Sequence, residues 1–154
     1  MKYIIFICII PFIAYSQSNI EINKVEISDL SSEKINNLNL DNRNFNWIST
    51  NDGLNRYDGK INTIFKSNPF DEKTISNNNI NFTQQINNEG IFIFTSSGLD
   101  FYNYSTLDFQ RIITNTTPTN FYKKNKFLFI SSLNNGISVI DVENKKNIKN
   151  YLFD

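Results

Sequence analysis

Histidine is missing from this chain of 154 residues, and cysteine, methionine and tryptophan each occur once. Without histidine there is no His-based catalytic triad and no imidazole metal site. The lone cysteine, Cys8, sits inside an apolar run and is followed by Ile9-Ile10-Pro11-Phe12. A lipidated cysteine would begin the mature chain, so Cys8 is expected to be discarded with an export signal. What remains has no disulfide, no thiolate metal ligand and no thiol nucleophile. Charge is sparse and balanced, with 15 basic and 15 acidic residues and a net charge of zero. The densest basic spots are Lys123-Lys124 and Lys145-Lys146, too few to displace many counterions from a nucleic acid, so no nucleic-acid partner is expected. Neither a Gly-rich phosphate loop nor a calcium loop is present. The carboxylate pairs that remain, Asp52 with Asp58 and Asp71 with Glu72, fall in turns, where aspartate caps backbone amides. No catalytic residue, cofactor or metal is expected.

What is present suits a globular chain: 40% hydrophobic and 19% charged residues, with 14 phenylalanines and 7 tyrosines. Residues 1–16 read as a signal peptide. Lys2 supplies the positive end, residues 3–15 are apolar apart from Pro11, and Ala14 and Ser16 place cleavage before Gln17. The alternative is an uncleaved anchor, but the run is near the lower limit for spanning a bilayer. The mature chain is therefore expected to be exported, to the periplasm or the cell surface, with no membrane contact after cleavage. Asparagine is abundant and often doubled, as at Asn36-Asn37 and Asn134-Asn135, which suits a chain that turns every few residues. Compositional drift is the other explanation.

Three times the sequence writes a short aromatic or apolar strand, a Ser or Thr, a turn ending in glycine, and a second apolar strand. The copies begin at Trp47, Phe92 and Phe129, and their glycines, Gly53, Gly98 and Gly136, are 45 and 38 residues apart. That spacing is the period of a four-stranded propeller blade. Blade one is expected over about residues 35–65, with strands at 35–40, 45–50, 54–57 and 61–65 and a hairpin at Asp58-Gly59. Blade two is expected over 80–113, with strands at 80–86, 91–95, 99–104 and 109–113. A less regular blade three is expected over 120–153, its turn before Gly136 one residue longer. Residues 17–34 hold an alternating stretch, 20–27, read as an N-terminal strand that would complete the last blade of a ring. The fold class is all-β: a β-propeller of about three four-stranded antiparallel blades in an incomplete ring. Three blades leave an apolar face uncovered, expected over 121–142, and the chain is expected to end before its fold does. The aromatics Trp47, Phe92 and Phe129 are read as packing between blades rather than as stacking platforms for a sugar, because they follow the repeat.

The run Trp47-Ile48-Ser49-Thr50-Asn51-Asp52-Gly53-Leu54-Asn55-Arg56-Tyr57-Asp58-Gly59 resembles the two-component regulator propeller repeat, W-I-G-T-x-x-G-L-x-x-Y-D, with Ser49 in place of a glycine. The stretch from Asp71 to Ile80 is similar to that family's link into its second blade. The second and third copies match more loosely, and of the repeat glycine-leucine pair only Gly98-Leu99 recurs intact. The resemblance implies the periplasmic sensor region of a hybrid two-component regulator, with further blades and signalling domains as partners. It implies an oligosaccharide ligand for the full region. The other reading is a secreted propeller that scaffolds interactions without signalling.

Propellers bind ligands on a loop face. If the loops between second and third strands share a face with the interblade links, the candidate ligand-binding residues are Asn51, Asp52, Ser97, Asn134 and Asn135, with Asn68 and Asp71. Arg56 is grouped with them, a solvated strand position being its alternative. Three blades without a closed ring are expected to bind sugar weakly.

Overall fold

The computed structural model describes residues 24–27 and 29–152. The signal-peptide reading and most of the N-terminal stretch lie outside the described residues. Twelve strands form three four-stranded antiparallel sheets, each built from consecutive hairpins. Blade one contains β1 (Ile35–Leu40), β2 (Asn46–Thr50), β3 (Gly53–Tyr57) and β4 (Asn62–Phe65). Blade two contains β5 (Ile80–Asn87), β6 (Gly90–Thr95), β7 (Gly98–Asn103) and β8 (Phe109–Thr114). Blade three contains β9 (Pro118–Lys124), β10 (Phe127–Ser132), β11 (Gly136–Asp141) and β12 (Lys146–Tyr151). These are the expected blades, and the third is as regular in its pairing order as the others. Among the described residues no helix is long and apolar enough to cross a membrane.

The N-terminal stretch departs from expectation. Its described part, Lys24 to Ile27, forms no strand and is largely exposed. An alternating stretch becomes a strand only with a ladder partner, and none stands beside it here. The inner strand of blade one is instead β1. Asn36 of β1 donates to the carbonyl of Ile80 in β5 at 2.7 Å, and Asn81 of β5 donates to Pro118 in β9 at 3.2 Å. The first strands of the three blades therefore lie side by side.

Two apolar clusters join the blades. Strand β6 reads Ile-Phe-Ile-Phe, and every residue is buried because both faces of blade two are covered. Successive side chains point to opposite faces of a strand, so Ile91 and Ile93 face one neighbour while Phe92 and Phe94 face the other. On the first side Trp47 and Leu54 pack with Ile91, Ile93 and Tyr102. On the second, Phe92, Phe94 and Phe101 pack with Leu128, Ile130 and Ile140. Trp47 and Phe92 thus pack between blades as expected, with Trp47 edge-on to Tyr102 at 5.3 Å. Phe129 occupies the matching position in blade three, but its face has no following blade and it is only half-buried. The expectation of one uncovered face over 121–142 needs correcting. Phe121 and Val142 turn inward against blade two, while Tyr122 and Phe129 face out. Blade one also has an uncovered face, with Leu38 and Leu40 exposed.

The repeat glycines are required for different reasons. Gly53 has φ +125°, a region closed to most L side chains. Gly98 has an ordinary backbone, but a Cβ there would lie 1.9 Å from the Ile113 carbonyl oxygen. The motif's Ser/Thr closes each turn. Thr50 donates to the Gly53 carbonyl at 2.8 Å and Thr95 to the Gly98 carbonyl at 3.2 Å. Each hydroxyl also meets a serine from the preceding link, Ser31 at 2.9 Å and Ser76 at 2.8 Å. Residues around Ser31 therefore dock on blade one as the link around Ser76 docks on blade two.

Asparagine is used in two ways. Asn44, Asn115 and Asn125 take left-handed backbone at turns, with φ of 63°, 60° and 53°. Others tie blades together: Asn42 bonds Gln85 and Asn88, each at 2.8 Å, with its backbone and side chain respectively.

Candidate functional site

The geometry of a four-stranded hairpin blade puts the β2–β3, β6–β7 and β10–β11 turns at the same end as the interblade links. Backbone bonds hold that rim together. Gly53 donates to Asn78 at 2.6 Å, Ser96 to Asn79 at 2.9 Å, and Leu133 to Thr117 at 3.1 Å. Thr117 returns a side-chain bond to the Ser96 carbonyl at 2.8 Å. Between blades two and three the rim opens into a recess of about 280 Å³ lined by Ser96, Ser97, Asn115, Thr116, Thr117, Asn134 and Asn135.

Every group in this lining is a hydroxyl, an amide or backbone. Ser97 accepts from the Asn77 side chain at 2.7 Å, and Asn135 donates to the Asn115 carbonyl at 3.4 Å. The Thr116 hydroxyl is buried without a hydrogen-bond partner. A neutral lining of donors and acceptors is suited to an uncharged polar ligand, because no charge has to be desolvated to bind it.

Five of the sequence-predicted residues lie on this rim. Ser97, Asn134 and Asn135 line the recess, while Asn51 and Asp52 occupy the corresponding turn of blade one. There Asn51 accepts from Asn36 at 2.8 Å and Asp52 pairs with Lys66 at 2.8 Å. Asn68 and Asp71 lie elsewhere, in the long link that runs beside β8. Asn68 caps Phe70 at 3.0 Å and Asp71 caps Lys73 at 2.9 Å, while Lys73 pairs with Asp108 at 3.0 Å. Asp58 likewise caps its hairpin, accepting from Lys60 at 2.8 Å and Ile61 at 2.6 Å. Those backbone bonds hold its carboxyl below the usual range.

Arg56 is neither on the rim nor in a solvated strand. Its guanidinium lies 4.8 Å from the Phe45 ring and 5.6 Å from the Phe65 ring, and donates to the Tyr102 hydroxyl at 3.0 Å. It fills an aromatic box between blades one and two, where cation–π attraction replaces part of its hydration. The sequence reading had not singled out Ser96, Asn115, Thr116 and Thr117. The polar run Asn115-Thr116-Thr117 between two strands was the available signal.

Beneath the rim lies a buried acid. Asp100 is fully buried and accepts from the Ser76 amide at 2.7 Å, but its other oxygen has no partner. Burial pushes its pKa up to about 6, against the opposing pull of Ser76 and Arg111. Asn55, 45 residues earlier, fills the same position in blade one with its amide donating to Ser31 at 2.7 Å and Ile48 at 3.3 Å.

Consecutive four-stranded hairpin sheets, stacked through aromatic faces with their first strands adjacent, define three blades of a β-propeller. This is the architecture of extracellular domains of bacterial two-component systems. The chain is similar to the extracellular domain of BT3049 from B. thetaiotaomicron, described as a hybrid two-component system. The TM-score is 0.68 at 25% identity, over 80% of this chain and 19% of that one. Two structures of the extracellular domain of BT4673 from the same organism match with TM-scores of 0.64 and 0.63 at 21% identity, each over 77% of this chain. One is described as a one-component and the other as a hybrid two-component system. The chain spans 19% of the length of each of these structures. No protein-family model matches the chain, and no curated protein matches it.

Proposed function

We propose that this chain is part of an extracellular ligand-sensing propeller, the input region of a two-component regulator acting through a sensor kinase or a transcriptional output. The observation that carries the reading is the match over 80% of the chain to an extracellular domain of such a system. The ligand in this reading is a neutral oligosaccharide held on the rim by Ser97, Asn134 and Asn135. The uncharged lining supports that choice over an anionic ligand, which would need cationic side chains where the recess has none. Signal-peptide cleavage and export to the periplasm belong to the same proposal.

Saturation-transfer NMR of the folded chain against neutral and anionic oligosaccharides tests the ligand. Weak contact with a neutral glycan, lost in Asn134→Ala and Asn135→Ala, is expected. Contact only with anionic glycans, or with none, overturns the ligand assignment. Sequencing the encoding transcript tests the input role: a membrane span followed by kinase or DNA-binding sequence is expected, and a stop codon directly after Asp154 overturns it.

A further inference from the structure

We infer that the two uncovered end faces of the arc are complementary, and that blade three of one copy docks on blade one of a second copy. The argument is independent of the ligand. In blade two, Ile80, Ile91, Ile93 and Tyr102 form the surface that receives Trp47 of blade one. Ile35, Asn46, Ile48 and Tyr57 stand 45 residues earlier, at the same four positions of blade one. With Leu38 and residues of the N-terminal segment they line an open groove of about 370 Å³. The repeat has thus built a receiving surface on blade one to which no blade is docked.

The matching surface is at the other end. Phe129 holds the position of Trp47 and Phe92, and with its register neighbours Tyr122 and Val139 it forms the outward face of blade three. Charge separates the two ends in the same sense. Residues 118–151 carry six lysines against two acidic groups, and Lys124 and Lys149 pair within the rows that contain Phe127 and Val139 on the outward face. The segment flanking the blade-one groove carries exposed Glu26, Asp29 and Glu33. Apolar centres match, and the rims are of opposite sign, which steers the encounter and disfavours like-end pairing. Two copies related by a twofold axis bury each face once, and a rotation that fails to close gives an open chain of copies instead.

Two exposed positions test this without disturbing the core: Leu38, 63% exposed, and Tyr122, 65% exposed. Sedimentation equilibrium of the folded chain at tens of micromolar is expected to show a dimer or a larger series. Leu38→Arg alone and Tyr122→Glu alone should each weaken association at least tenfold while circular dichroism stays native. Mixing the two variants should restore it, because one contact is then native and the other sets Arg against Glu. A monomer at that concentration overturns the proposal, as does self-association insensitive to both substitutions or variants whose mixture stays apart.

Discussion

Trp47 donates its indole N–H to an oxygen of Asp41 at 2.8 Å, and both side chains are buried. Tyr104 of blade two donates its hydroxyl to the same oxygen at 2.7 Å, while the other oxygen accepts from the amides of Arg43 and Phe45, each at 2.9 Å. One carboxylate therefore closes its own turn, fixes the chain's single tryptophan and ties two blades together. Burial works against its charge, but the bonds from Trp47, Tyr104 and the two amides outweigh it and hold the carboxyl below the usual range. Tyr104 is raised in turn, by burial and by the bond it donates.

Asp41→Ala is expected to destabilise the chain by about 3 kcal/mol, the usual range for losing charge-assisted bonds in a buried site. Trp47 fluorescence followed through urea denaturation reads this directly. Because the folded carboxyl is depressed, its stabilisation is full above the ordinary carboxylate pKa and is lost as the pH falls through the lowered value. Acid unfolding monitored by the same fluorescence should begin at higher pH in Asp41→Asn.

Asp100 has the opposite sign. Its folded pKa, about 6, lies above the ordinary 3.8, so the native state holds the proton more tightly than the unfolded chain. The cost is absent below the ordinary value and grows as the pH rises to about 6, reaching on the order of 3 kcal/mol. Asp100→Asn supplies the donor that Asn55 already provides in blade one. Its melting temperature should rise at pH 7.5 by several degrees, on the order of what 1–2 kcal/mol gives in a chain of this size, and change little near pH 4.

Arg56 is predicted to act in packing. Arg56→Leu and Arg56→Lys should each destabilise by about 1 kcal/mol in chemical denaturation, since an ammonium cannot stack on several rings at once. Glycan contacts at the rim should be unchanged in either variant.

Gly98→Ala is expected to cost about 2–3 kcal/mol, because its Cβ meets backbone that cannot swing aside. Thr106→Ala, in an exposed turn, should stay within about 0.5 kcal/mol in the same thermal scan.

Blade number, strand order and the roles of Trp47, Phe92 and the turn glycines were legible in the chain, because each rests on local spacing. A period-2 stretch, a Ser/Thr and a glycine at a fixed distance act within one hairpin, and a hairpin forms between neighbours in sequence. Three copies made the pattern stronger than any one of them. The strand expected at 20–27 failed for the converse reason: alternation describes a strand's faces but supplies no partner for its ladder. Arg56 was misplaced because its surroundings come from both blades, with Phe45 and Phe65 in one and Tyr102 in the other. Asp41 and Tyr104, 63 residues apart, could not be paired from spacing at all. The rim residues were placed on one end by hairpin topology, but which of them share a recess depended on how blades two and three pack. Local periodicity thus specifies the blades, while their contacts, buried charges and open faces arise only when one sheet stacks against the next.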